Sequence, residues 1–243
     1  MTNPTAAILI IGDEILTGRT REGNAHFLAG ELAQAGITLR QIRVIPDDHA
    51  GIVAAVRELS GAHDHLFTSG GIGPTHDDIT ADAVAEAFGR AIGVRDDARA
   101  ILARHYAARG VEFTEARMRM ARIPEGAALI ENPVSAAPGF SVENCHVMAG
   151  VPNIFQAMVA GLLPRLQGGA PLISRTWQLM VPEASVADQL RALAEAHPEV
   201  SFGSYPFVSD GGQYGTNLVT RGTEAAAVEA AASALRAAFP EGA

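Results

Sequence analysis

The chain has 243 residues, 48% of them apolar, which suits one large domain or a medium domain plus a small one. It contains no lysine: all 18 basic residues are arginines, set against 27 acidic ones, for a net charge of −9. This excludes a lysine-bearing phosphate loop and lysine Schiff-base chemistry, and it argues against nucleic acid as a partner, since nucleic-acid binders present a basic face. The single cysteine, Cys145, cannot form an internal disulfide, and a reducing cytoplasm is the expected location. The longest apolar run near the N-terminus, residues 6–11, is far short of the roughly 20 residues of a spanning helix, so neither membrane association nor a signal peptide is expected.

Residues 7–11 form a continuous apolar run closed by Gly12, the pattern of a parallel strand buried on both faces. Phe27, Leu28, Leu32 and Ala35 then fall at helical spacing within residues 23–35, ahead of Gly36. Residues 37–45 alternate as a strand, and Asp47 or Asp48 can cap a helix running to Leu59. Residues 66–68 read as a third strand that runs into a glycine loop, and a helix is predicted over 80–88. This alternating order predicts an α/β fold with a doubly wound, mostly parallel sheet. Residues 95–122 read as helical and arginine-rich, broken at Gly110. Residues 127–130 and 145–148 read as strands around a Pro/Gly-rich loop over 132–139, and Pro152 can open another helix. The stretch Gln167-Gly168-Gly169-Ala170-Pro171 reads as a linker between domains of 1–167 and 172–243. Beyond it a strand (175–181), a helix (185–196), two strands (199–204, 214–220) and a helix (223–238) predict a small β-α-β-β-α domain.

In an open parallel sheet, ligands sit beyond the carboxyl ends of the strands. Three polar segments fall there: Gly12-Asp13-Glu14, Pro46-Asp47-Asp48, and Ser69 through Thr80. Gly70, Gly71 and Gly73 permit close backbone approach and make an anion nest, although a tight strand-to-helix turn explains them equally well. Asp77 and Asp78 follow. Two like charges about 4 Å apart repel by about 4 kcal/mol at an effective dielectric near 20, and a phosphate alongside makes this worse. A divalent cation shared between carboxylate and phosphate reverses the sign. Helix capping explains one of the pair and not both. Asp47 and Asp48 pose the same choice, and for Asp13 and Glu14 a turn is the simple alternative. His63 and His65 have a metal-like spacing but fall at the opposite end of the third strand, and Cys145 reads as a small buried hydrophobe.

Gly12-Asp13-Glu14-Ile15-Leu16, with Gly18 and Asn24 after it, resembles the opening of the molybdopterin-binding domain superfamily. It more closely resembles the first half of the competence/damage-inducible protein A family. Ser69 through Thr80 is similar to that family's T-G-G-x-G-P-T-x-D-D-x-T signature. Asn132 to Gly139 resembles its N-x-x-G-x-A-P-G loop, and Gly150-Val151-Pro152 its P-G-V-P turn. Residues 203–207 resemble a segment of the small second domain of stand-alone relatives and of eukaryotic FAD synthases.

The resemblance implies a three-layer, mostly parallel sheet domain that binds a small phosphorylated ligand, a nucleotide diphosphate or molybdopterin, and assembles as a homo-oligomer. It further implies a metal-dependent pyrophosphatase acting on ADP-ribose- or FAD-like substrates. The alternatives are adenylyl transfer to molybdopterin and a non-catalytic binding module. Carried over residue by residue, it assigns Gly70, Gly71, Gly73, Thr75, Ser135, Gly139, Asp13, Glu14 and Asn24 to the substrate and its phosphates. Asp78, with Asp47 or Asp77, would hold a Mg, Mn or Co ion, and Asp78 and Asp47 would serve catalysis by water. The chain departs from the pattern in two places. Ser135-Ala136 stand where relatives have Gly followed by Thr or Ser, so the hydroxyl has moved one position or been lost. Ala149 replaces the first Pro of P-G-V-P.

Overall fold

Strand β1 (Thr5–Ile11) is buried on both faces, and its side chains divide by parity. Ala7, Leu9 and Ile11 enter one apolar cluster, while Ala6, Ile8 and Ile10 enter the other. That two-sided burial is why the strand reads as an unbroken apolar run. Each buried Ile or Leu contributes about 1.5–3 kcal/mol relative to exposure. A computed structural model describes residues 2–240, and the chain divides into two compact units, Met1–Gly169 and Ala170–Ala243.

In the first unit, β1 leads through a single turn, α1 (Asp13–Leu16), to α2 (Asn24–Gln34) and β2 (Thr38–Ile45). Then come α3 (His49–Ala62), β3 (His65–Ser69) and α4 (Thr80–Ala87). Strand β4 (Ile92–Val94), α5 (Asp96–Ala108), the short α6 (Glu115–Met118) and β5 (Arg122–Pro124) follow. Strands β6 (Ala128–Ile130), β7 (Gly139–Val142) and β8 (Cys145–Met148), with α7 (Pro152–Leu162), complete it. The main sheet has the order β2-β1-β3-β8-β7-β6. Strands β2, β1, β3 and β8 are parallel, and β7 runs antiparallel to both neighbours. Residues of α3, α4 and α5 bury against one face, and residues of α2 and α7 against the other. The result is the expected three layers.

Three features differ from the sequence reading. Residues 139–142 form a strand, because Phe140 and Val142 turn into the core behind a Pro-Gly pair that reads as loop. Residues 92–94 and 122–124 pair as a two-stranded ribbon. The helical reading of 95–122 therefore breaks after Ala108, resumes for one turn, and ends in strand. At β2's end, Asp48 caps α3 by accepting the Gly51 N–H at 2.6 Å.

The second unit carries β9 (Ile173–Leu179), α8 (Ala187–Ala196), β10 (Ser201–Val208), β11 (Tyr214–Gly222) and α9 (Ala225–Ala238). Its antiparallel sheet has the order β10-β11-β9. Leu179, Leu218, Leu235 and Phe239 form its own core, and the Trp177 indole N–H donates to the Phe239 carbonyl at 2.8 Å. No helix of the described residues is long and apolar enough to cross a membrane.

Candidate active site

Strand β1 has β2 on one side and β3 on the other, so the strand order reverses between β1 and β3. Such switch points open a crevice at the strands' carboxyl ends. Here the ends of β1, β3 and β8 frame a cleft of about 520 Å³. Gly12 and Glu14 come from the first end, Gly70, Gly71 and Gly73 from the second, and Ala149 and Gly150 from the third. Asp47, Asp77 and Asp78 add carboxylates, and Asn132 and Ser135 close the far side. Met120, Val151 and Ile154 supply apolar wall.

The glycine loop is shaped first by its own packing. Gly70 has φ +111° and a Cβ there would overlap the Ile11 carbonyl oxygen; Gly71 has φ +68° and a Cβ would overlap the Thr80 hydroxyl. Neither position admits a side chain. Asp78 then folds back over the loop. One carboxylate oxygen accepts from the Gly73 N–H at 2.6 Å, and the other accepts from the Thr75 N–H at 2.8 Å and the Thr75 hydroxyl at 2.5 Å. The donors of Gly73 and Thr75, assigned to phosphate on the sequence, are thus engaged by Asp78, and Thr75 does not line the cleft. The amides of Gly71 and Ile72, two residues that line the cleft, have no acceptor among the described residues. Helix α4 starts after Ile79, so neither Asp77 nor Asp78 caps it.

Because Asp48 serves as the α3 cap, Asp47 faces the cleft and accepts the Asp13 N–H at 3.0 Å. Burial pushes the Asp47 carboxyl above its usual range. The Asp13 N–H draws it back, and the charges of Asp13, Glu14 and Asp77 raise it further. Asp13 itself does not line the cleft; its backbone orients Asp47. Among the described residues the lining therefore holds four carboxylates, Glu14, Asp47, Asp77 and Asp78, and no Arg or His. Among the described residues no group of three or more acidic, His or Cys side chains is placed to hold a metal ion. The expected Asp47, Asp77 and Asp78 set is therefore not gathered as a three-ligand site, although all three residues line the cleft.

Two further assignments change, those of Asn24 and Gly139. Asn24 is 6% exposed and lies behind the cleft, its amide donating to the Ser69 hydroxyl and the Gly150 carbonyl, both at 2.8 Å. It fastens the β3 loop to the β8 loop and does not line the cleft. Gly139 is buried at the start of β7, paired with Ile130, and also stays out of the cleft. Ser135 does line it, whereas Ala136, at φ +64°, lines a separate depression with Arg104 and Glu131. Ser135 thus brings a hydroxyl-bearing residue of this loop to the cleft, and Ala136 does not line it.

Asn132 organises that loop: its side-chain oxygen accepts from Val134 and Ser135 N–H at 3.1 and 3.0 Å, and its nitrogen donates to Ser135 Oγ at 2.7 Å. Its place ahead of Pro133, as the Asn that opens the loop motif, was the available signal. Thr20 and Met120 also line the cleft and carried no signal, because irregular segments bring them there. At the opposite end of β3, His65 pairs with His146 at 3.3 Å and not with His63 as a metal pair. Burial first, and the neighbouring His65 second, push His146 down to about 3, and burial pushes the Cys145 thiol up, leaving it inert.

A three-layer sheet with a glycine loop at its switch point defines an α/β ligand-binding domain. Residues 7–168 match the family described as "Probable molybdopterin binding domain", and the chain belongs to this family, in its CinA-like branch. Residues 171–243 match "FAD synthase, middle domain". A protein of Pyrobaculum calidifontis is 37% identical over 212 residues, covering 84% of this chain and 81% of its own. A CinA-like protein of Desulfosudis oleivorans is 35% identical over 209 residues, covering 82% of this chain and 51% of its own, so the chain spans about half of that relative. The crystal structure of CinA from Thermoplasma acidophilum, at 33% identity, has a TM-score of 0.61 over 66% of this chain and 98% of its own.

Proposed function

We propose that the cleft binds a nucleotide- or pterin-type diphosphate together with a divalent cation, and that the protein hydrolyses the pyrophosphate bond. One observation carries this reading: among the described residues, the cleft at the glycine loop is lined by four carboxylates and no basic side chain. An anionic ligand is repelled there unless a cation accompanies it. The donor set fits a hard cation such as Mg²⁺, which is held by one or two carboxylates plus phosphate oxygens and needs no protein cage. Asp47 and Asp77, with Asp78 beside them, would hold it. Such an ion supplies polarisation of the phosphoryl group and a more acidic water.

The chain's own groups do the rest. The open amides of Gly71 and Ile72 bind phosphate oxygens, and the Ser135 hydroxyl donates a further hydrogen bond. Asp78 keeps the loop closed in the binding shape. Water is the nucleophile, because the chain has no lysine and its one thiol is buried. The oxygen of water forms the new bond to phosphorus as the bridging P–O bond breaks, and its proton passes to Asp47. The match of residues 171–243 to an FAD synthase domain supports FAD- or ADP-ribose-like substrates. The description of the family matched by residues 7–168 supports the second reading, adenylyl transfer to molybdopterin. Homo-oligomeric assembly and a cytoplasmic setting belong to the same proposal.

The test offers ADP-ribose, FAD, NAD and ATP with Mg²⁺, Mn²⁺ or Co²⁺, and ATP with molybdopterin. Release of AMP that stops on chelation is the expected result. An adenylated pterin establishes the transferase reading, and binding without turnover establishes a binding module.

A further inference from the structure

The shortage of positive charge in the cleft directs attention to the arginines just outside its wall. Arg119 opens a 3-10 turn, Arg119–Ala121, between α6 and β5, and the next residue, Met120, lines the cleft. One Arg119 guanidinium nitrogen stands 3.5 Å from the backbone carbonyl oxygen of Asp78, whose side chain also lines the cleft. The hollow that Arg119 lines shares Ile72, Gly73, Asp78 and Met120 with the cleft. The residue is exposed and pairs with no carboxylate among the described residues. Arg122 shares a small hollow behind Asp78 with Arg119 but is held by the Asp82 carboxylate. Of the two arginines at this wall, one is tied and one is loose. A guanidinium carries five donors in a planar fork that matches phosphate oxygens, and Arg119 spends at most one of them, weakly.

We propose that Arg119 is a substrate ligand that moves from the Asp78 carbonyl onto a phosphate of the bound diphosphate, at the rim formed by Gly73 and Asp78. It supplies the side-chain cation that the cleft lining lacks, and so selects a nucleoside diphosphate over a monophosphate. The inference rests on reading the cleft as a diphosphate site and adds a separate claim about which residue reads the second phosphate.

The test is calorimetric titration of the whole chain with ADP, AMP and pyrophosphate in the presence of Mg²⁺, for wild type, Arg119→Ala and Arg119→Lys, with turnover of ADP-ribose measured in parallel. Arg119→Ala should weaken ADP about ten- to hundredfold and AMP less than about threefold, as expected for loss of a charge-assisted hydrogen bond to phosphate. Arg119→Lys should recover part of the loss, and the Tm of both variants should match wild type. Unchanged ADP affinity in Arg119→Ala, or equal losses for ADP and AMP, overturns the proposal. A selective loss of ADP binding without wild-type turnover keeps Arg119 and overturns the hydrolase reading. Unimpaired ADP-ribose turnover and ADP binding in Arg119→Ala do the reverse. Wild type that binds none of the probes overturns both.

Discussion

Asp47 and Asp48 are adjacent and chemically identical, yet only Asp48 satisfies a helix terminus. Asp47 is held part-buried among Asp13, Glu14 and Asp77 with its charge opposed. A folded-state pKa above the unfolded one means that ionised Asp47 costs stability, and that this cost grows as pH rises through the carboxylate range toward the folded value. Asp47→Asn keeps an acceptor for the Asp13 N–H and removes the charge. Its Tm should exceed wild type at pH 7, and the difference should vanish near pH 3, while metal-dependent turnover is lost. Thermal melts at the two pH values with a parallel activity assay check this. Asp78→Asn behaves differently, because one amide oxygen cannot serve donors that now engage two carboxylate oxygens. It should lose about 1–3 kcal/mol in urea unfolding as well as turnover. The acidic pair was legible in the sequence as two carboxylates beside the glycine loop, and both line the cleft. That Asp78 closes the loop was not, because nothing in residue spacing shows which oxygens meet the Gly73 and Thr75 amides.

At the scale of elements, the loop from Asn132 to the start of β7 shows how a one-residue shift changes the chemistry. Ala136 sits at φ +64°, a region that costs a non-glycine residue about 1–2 kcal/mol, and it lines a depression apart from the cleft. Ala136→Thr adds β-branching to that strain. It should lower stability by roughly another 1 kcal/mol without raising turnover. Ala136→Gly should be neutral or mildly stabilising, and both are read by urea unfolding and kcat/KM. On the sheet, the buried His146 ring meets the hydrogen-bonding groups of Ser141 and His65, and burial holds it neutral, pushed down to about 3. Its ordinary value is about 6.5, so the unfolded chain binds the proton first and stability falls as pH drops from about 6.5 toward 3. Wild type should lose stability steeply in that window, at up to about 1.4 kcal/mol per pH unit from this one group. His146→Leu should flatten the slope in a series of unfolding titrations, since it removes the buried base.

At the scale of the whole molecule, every residue lining the cleft belongs to the first unit, and each unit has its own apolar core. A chain ending after Gly169 should therefore fold and keep metal-dependent turnover within about threefold of the full chain. Circular dichroism melts and kcat/KM on the truncated chain test the expectation. A loss of turnover with intact folding would assign the second unit a part in the reaction.

The order of elements and the three motif-bearing strand ends followed from the sequence, because they depend on local apolar periodicity and on turn residues that act within a few positions. The parity of β1, with alternate side chains in opposite clusters, is one such local consequence. The work done by each polar residue was decided by the tertiary structure. Asn24 became a fastener of two loops and Gly139 a buried strand residue, while Arg119 came to stand behind Asp78 from 41 positions away. Hydrogen bonds of that kind join segments distant in the chain. Their partners exist only once the strands have set the loops side by side.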